Sequence, residues 1–186
     1  MPNENASAID TALAAYLRTL AGANKSEATI RAYRTDLAQF LAFLRETNCA
    51  IDVAGDVTRT DVEEYLAHLA GRGLSGTTRA RKLAAIRELF RFLQGNELVE
   101  KDPTQAVTTP KKERGSRTAL RPDEYTKLLS LAGSNPRDYA ILQVFLQTGV
   151  RVSELCALTR GDVDLEGRLL RAVGKGQKAR TIELEK

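Results

Sequence analysis

Apolar residues recur every three or four positions through roughly the first hundred residues of this chain. They disappear across a stretch of Pro, Thr and basic residues, then return with two different periods. That succession limits the fold more than any composition value. A stripe at i, i+3 and i+4 must be buried against a partner surface, so consecutive stripes broken by Gly and Asn predict a helical bundle. Alternation with period two predicts strands instead, because successive side chains point to opposite faces.

The clearest stripe lies in residues 26–46, where Ile30, Tyr33, Leu37, Phe40, Leu41 and Leu44 share one side behind Ser26, a natural N-cap. Residues 7–22 space Ile9, Leu13, Tyr16, Leu17 and Leu20 in the same way. Residues 58–71 open on a Thr or Asp cap and stop at Gly71. Residues 75–95 carry Leu83, Ile86, Leu89, Phe90 and Leu93 as an inner face. Four helices are therefore expected before residue 100.

Across 102–117, Asp-Pro, Thr-Thr-Pro, several basic residues and a Gly leave no hydrophobic period. A short helical turn at 104–107 and an exposed basic linker over 108–117 are expected there, the linker including Lys111 and Lys112. Pro122 near a first helical position, with Asp123 and Glu124 in the first turn, predicts a helix to about Gly133. Pro136 opens another, whose nearly unbroken apolar run over 139–146 predicts a helix buried on most sides. A short helix is expected over 153–158, then strands over 162–165, 168–173 and 179–184. The expected architecture is mainly α with a small antiparallel sheet: a four-helix domain over 1–107, the linker, and the start of an α+β domain over 118–186.

Composition narrows the classes. With no Trp and 5% aromatics, the core is expected to be mostly Leu, Ala, Val and Ile. No apolar run approaches the roughly 20 residues that span a bilayer, and the opening MPNENASAID has no signal-peptide pattern. Cys49 and Cys156 stand far apart in helical patterns, so a reduced, cytoplasmic protein is expected. One His and two Cys are too few and too scattered for a zinc site. Net charge is +4 but uneven: residues 1–107 carry 13 Lys/Arg against 14 Asp/Glu, and residues 108–186 carry 15 against 10. A basic second half suits a polyanion partner, although a merely basic surface is the commoner meaning of charge alone.

Several polar residues carry more specific information. Arg81, Arg87 and Arg91 share about a third of the circumference of their helix, and Arg31, Arg34 and Arg45 flank the stripe of residues 26–46. A solvated face accounts for any one of them; two such faces in one small domain suggest a groove lining. Two helices also open on hydroxyls followed by arginines: Ser26 and Thr29 before Arg31, then Ser75, Thr77 and Thr78 before Arg79 and Arg81. Free N–H groups and the positive dipole end there suit a phosphate, though ordinary capping explains the serines. Arg151 comes after a helix stop and precedes a helix start, with Glu154 in reach at i+3. That spacing gives either a structural ion pair or a guanidinium locked to grip a phosphate with two donors. Gly174-Lys175-Gly176-Gln177-Lys178 reads as a hairpin tip, either solvated or a finger carrying an ammonium to an anion.

These residues together resemble the tyrosine recombinases of the phage-integrase and Xer type. TIRAYRTDLAQF (29–40) is similar to the second helix of that family's SAM-like core-binding domain, and ARKLAAIRELFRFL (80–93) to its fourth. Asp102-Pro103-Thr104 resembles the exit from that domain. TGVRVSEL (148–155) is similar to the first catalytic-arginine motif, and VGKGQKAR (173–180) to the catalytic-lysine hairpin. The resemblance implies a clamp on double-stranded DNA, a tyrosine nucleophile forming a 3′-phosphotyrosyl bond, no cofactor and no metal. It implies partner protomers in a synaptic complex, a tetramer for the full-length protein. By position it gives Arg151 and Lys175 catalytic roles and Glu154 a supporting one. Less directly, it places Thr29, Arg31, Thr77 and Arg81 at the DNA. Arg87, Lys111, Lys112 and Lys178 are further candidate DNA contacts.

Beyond the hairpin the chain departs from that pattern. The family needs a His-x-x-Arg element and a late tyrosine. Here the single His68 lies in the third helical stretch, and Tyr16, Tyr33, Tyr65, Tyr125 and Tyr139 all precede Arg151. The expectation is a chain that binds DNA without cleaving it, either a piece of a full recombinase or a non-catalytic DNA-binding relative. The intact Arg151 and Lys175 motifs favour the piece.

Overall fold

A computed structural model describes residues 8–47, 52–111, 118–174, 176 and 178–185. The chain forms two compact units, Met1–Gly115 and Ser116–Lys186.

The first unit holds α1 (Ala8–Gly22), α2 (Glu27–Thr47), α3 (Arg59–Gly71) and α4 (Gly76–Gly95), the four helices that the stripes predict. A short 3-10 turn, Ala54–Asp56, precedes α3 and was not expected. Local chemistry sets the ends. Thr58 Oγ1 accepts the Asp61 N–H at 3.3 Å while the Asp61 carboxylate accepts the Thr58 N–H at 2.8 Å, a reciprocal cap. Ser75 Oγ accepts the Thr78 N–H at 3.3 Å at the start of α4. The predicted inner faces pack together: Leu37, Phe40, Val62, Leu83, Ile86, Phe90 and Leu93 have no exposed surface.

The core is mostly Leu, Ala, Val and Ile, as expected, with the few rings among them: Tyr65 lies 5.2 Å from Phe40 and 5.3 Å from Phe43, and Tyr16 5.3 Å from Phe92. One feature differs from expectation: Asp36 and Lys82 are buried, at 3% and 4% exposure, in helices whose arginines read as a solvated face. Lys82 Nζ donates to Asp36 Oδ1 at 2.9 Å and to Gln39 Oε1, and Arg81 donates to Asp36 Oδ2. The pair satisfies itself across α2 and α4, as a buried charge must.

After α4 the chain stays on this unit. Thr104, fully buried, donates its N–H and its hydroxyl to Asp102 Oδ1 at 2.8 and 2.6 Å, which turns the Asp-Pro-Thr segment. Arg87 Nη2 donates to Val107 O at 2.5 Å and Nη1 to Thr109 Oγ1 at 2.8 Å, tying the segment to α4. The remainder of the expected linker, 112–117, lies outside the described residues.

The second unit holds α5 (Pro122–Ala132), α6 (Pro136–Thr148), α7 (Val152–Ala157), and a three-stranded antiparallel sheet in the order β1 (Val163–Asp164), β2 (Leu169–Val173), β3 (Ala179–Glu183). A 3-10 turn, Arg160–Asp162, leads into β1. Leu170 pairs with Ile182 and Ala172 with Arg180. Leu170 and Ala172 are buried with Val150, and Val144, Phe145, Leu155, Leu158, Ile182 and Leu184 pack around them. The expectation that α6 is buried on most sides is not met. None of its residues is fully buried, and Tyr139 is exposed. Residues 141–146 are each half-buried, and of this run Val144 and Phe145 reach the cluster beside the sheet.

Candidate functional site

The second unit concentrates its polar organisation where α6 ends. Gly149 takes a left-handed backbone, φ +60°, and its N–H returns to Phe145 O, which closes α6 and reverses the chain. Val150 then anchors in the core at 5% exposure. Arg151 comes next, as the N-cap residue of α7 with extended backbone. Glu154 sits one turn on and is 3% exposed. Its Oε2 accepts the Arg151 N–H at 2.9 Å, and its Oε1 accepts Arg151 Nη1 at 2.6 Å.

A second arginine completes the cluster. Arg180, from β3, donates Nη1 to Glu154 Oε1 at 3.1 Å and Nη2 to Oε2 at 2.8 Å. Four donors thus converge on one carboxylate. The Arg180 hydrogen bonds, then the Arg151 backbone N–H, hold the Glu154 carboxyl down at about 2 against the opposing effect of burial. Two guanidiniums and one carboxylate leave a positive surplus. The Arg151 side chain is 69% exposed, so its charge faces solvent.

The hairpin arm passes close to this cluster. A Cβ on Gly174 would lie 3.0 Å from Glu154 Oε1, nearer than ordinary contact. Gly174 donates its N–H to Lys178 O at 2.8 Å, closing the arm. Lys178 is exposed. Lys175, the proposed lysine of the site, lies outside the described residues.

Arg180 is the residue that sequence reading missed. The available signal was the strand period: Arg180, Ile182 and Leu184 alternate with Ala179, Thr181 and Glu183, which puts an arginine on the apolar side of β3. The register confirms that side, since Arg180 pairs with buried Ala172.

The first unit offers a separate surface. α2 and α4 border a cleft of about 390 Å³ lined by Thr29, Tyr33, Asp36, Arg81 and small alanines. Thr29 and Arg81 are therefore brought together, with Arg81 fixed by Asp36. Thr29 Oγ1 lies 2.8 Å from Ser26 Oγ, and the start of α4 repeats the arrangement with Ser75 and Thr78 at 3.1 Å. Arg31 and Thr77 are exposed but do not line the cleft. Arg87 is turned to Val107 and Thr109 instead, and Lys111 is exposed. Lys112 lies outside the described residues.

Comparison with known proteins matches both units. Residues 13–96 match the phage integrase N-terminal SAM-like domain, and residues 118–186 match the phage integrase family. The chain belongs to the phage integrase family of tyrosine recombinases. It is 42% identical over 176 residues to tyrosine recombinase XerC of Roseiflexus castenholzii, covering 91% of this chain and 55% of that protein. It is 38% identical over 164 residues to tyrosine recombinase XerD of Bifidobacterium longum, covering 84% of this chain and 53% of that one. The chain thus spans a little over half the length of these relatives. Its fold is similar to a lambda integrase(75-356) dimer bound to a COC′ core site, at TM-score 0.77 and 19% identity, over 93% of this chain and 61% of the other. A lambda integrase tetramer bound to a Holliday junction is similar at TM-score 0.78 and 20% identity, over 94% of this chain and 50% of the other. The helical unit is thus SAM-like, and the second unit has the fold of an integrase catalytic domain. No described helix is long and apolar enough to cross a membrane.

Proposed function

We propose that these 186 residues are the DNA-binding portion of a site-specific tyrosine recombinase, and that on their own they grip duplex DNA without cutting it. The single observation behind this is Arg151: an exposed guanidinium fixed by a buried carboxylate, within the TGVRVSEL motif of an Xer relative. A guanidinium held in advance stabilises charge that develops on a phosphoryl group without reorganising during the reaction. In this reading Arg151 contacts the scissile phosphate and Glu154 orients it. Lys175 protonates the departing 5′-oxygen, while a tyrosine elsewhere in the whole protein forms the 3′-phosphotyrosyl bond. Residues 1–107 act as the core-binding domain, 108–117 as the linker and 118–186 as part of the catalytic domain. The Thr29–Arg81 cleft faces the DNA, with Arg31, Thr77, Arg87, Lys111, Lys112 and Lys178 as further contacts. The lambda integrase dimer and tetramer on DNA support a multi-protomer assembly for the whole protein.

The tyrosines support the non-cleaving part. Tyr16 and Tyr65 are buried at 4% and 1%, and burial raises both hydroxyls, Tyr65 to about 12. Tyr139 accepts a hydrogen bond from Gln143 Nε2 at 2.9 Å within its own helix. Incubation with a nicked duplex, which traps a covalent intermediate, tests this. The expected result is a native complex and no covalent adduct; an adduct would overturn the non-cleaving reading.

A further inference from the structure

We propose that Arg180 is a positioning residue: it cancels and clamps the Glu154 carboxylate so that Arg151 remains the cation offered to a phosphate. The inference rests on the phosphate-binding reading of Arg151 and adds to it a residue from the far strand of the sheet.

Nitrogen use separates the two arginines. Arg180 commits both terminal nitrogens to Glu154, at 3.1 and 2.8 Å. Arg151 commits Nη1 alone, at 2.6 Å, and its Nη2 and Nε have no partner among the described residues. Side-chain exposure runs in the same order, 69% for Arg151 and 41% for Arg180. Arg151 therefore has free donors facing outward, and Arg180 faces the carboxylate.

Charge makes the second arginine necessary. Glu154 and Arg151 alone would form a neutral pair, and a neutral pair attracts an anion weakly. With Arg180 on the same carboxylate the cluster keeps one positive charge, and it resides on the guanidinium that faces solvent. Geometry adds to this. A lone i, i+3 pair at a helix start is weak and can swing. A carboxylate held at both oxygens by the two ends of a planar guanidinium has one orientation.

The fold supplies the reach. Arg180 pairs in register with Ala172 and shares the inner face of the sheet with Leu170 and Ile182, so its side chain starts on the side of α7. Gly174, opposite in the hairpin, lets the arm come close, since a Cβ there would lie 3.0 Å from Glu154 Oε1 and 3.7 Å from Arg180 Nη1. The strand that leaves the hairpin is thereby tied to the turn that carries Arg151.

The test uses the full 186-residue chain labelled with ¹⁵N, with inorganic phosphate as the probe. The Arg151 Nε resonance is identified by its loss in Arg151→Lys. In the wild type it is expected to shift saturably with phosphate. Arg180→Met is expected to raise the apparent Kd for phosphate at least about threefold, and Arg180→Lys, which restores charge but not the two-point grip, to recover part of that loss. Thermal midpoints are read alongside. An Arg180→Met chain that melts earlier but binds phosphate with the wild-type Kd overturns the proposal, because that is a purely structural role. If Arg180→Met does not fold, Arg180→Lys decides: a wild-type Kd together with an unmoved Arg151 resonance overturns it. A wild-type Arg151 signal that ignores phosphate overturns it as well. A wild-type chain that binds no duplex, while its phosphate Kd still rises in Arg180→Met, supports the Arg180 role and overturns the DNA reading.

Discussion

Glu154 organises the second unit through hydrogen bonds to Arg151 and Arg180, and its titration reports on them directly. Its carboxyl is lowered from an ordinary 4.5 to about 2. A lowered carboxyl contributes stability that is complete above the unfolded value and is lost as pH falls through the folded one. The contribution is therefore expected to persist through neutral and mildly acidic pH and to vanish between about 4.5 and 2. A ¹³C titration of the Glu154 carboxyl carbon should show a midpoint near 2, and one near 4.5 would contradict the donor cluster. Gly174→Ala is a second check. The added Cβ meets a carboxylate that cannot move aside, because its donors hold it. Overpacking of this kind costs about 1–3 kcal/mol, measurable by urea denaturation. At this scale the Arg151–Glu154 pairing was legible, because three residues along a helix start is a fixed geometry. Arg180 was not, because 26 residues and a hairpin separate it from Glu154. Its strand period places its face but says nothing of which helix that face meets.

Elements were the most legible level, and the reason is periodic burial. The stripes over α1 to α4 match helices that bury them, and the Gly and Pro boundaries fall where the elements end. The failures are cases where a partner decides. Lys82 sits one residue before Leu83 on the inner side of α4, and only the proximity of Asp36 on α2 makes it a buried residue. Asp36→Ala should leave that ammonium buried without a counter-charge, at a cost of about 3–5 kcal/mol. Replacing both, Asp36→Leu with Lys82→Met, should cost far less, since a well-packed apolar pair avoids the desolvation penalty. Urea denaturation of the two variants separates the cases; equal losses would show that leaving the ammonium unpaired carries no extra cost. The 139–146 run of α6 misled for the opposite reason. Apolar residues on all sides predict full burial, but the described residues leave 141–146 only half-buried.

For the whole molecule, the resemblance of two ordered motifs carried the family, and both matched domains agree with it. Composition alone could not have done so, since a net charge of +4 fits many proteins. The central claim is that this chain holds duplex DNA through arginines and lysines on phosphates. Arg81→Ala, which removes the cation of the α2–α4 cleft, should weaken binding several-fold, and an unchanged affinity would misplace that surface. The most direct measurement is the affinity for a duplex as a function of salt. Counterion release predicts that log affinity falls linearly with log salt, with a slope of about −0.9 for each phosphate neutralised. A steep negative slope is the predicted result. No binding at low salt, or binding that salt leaves unchanged, would contradict the account.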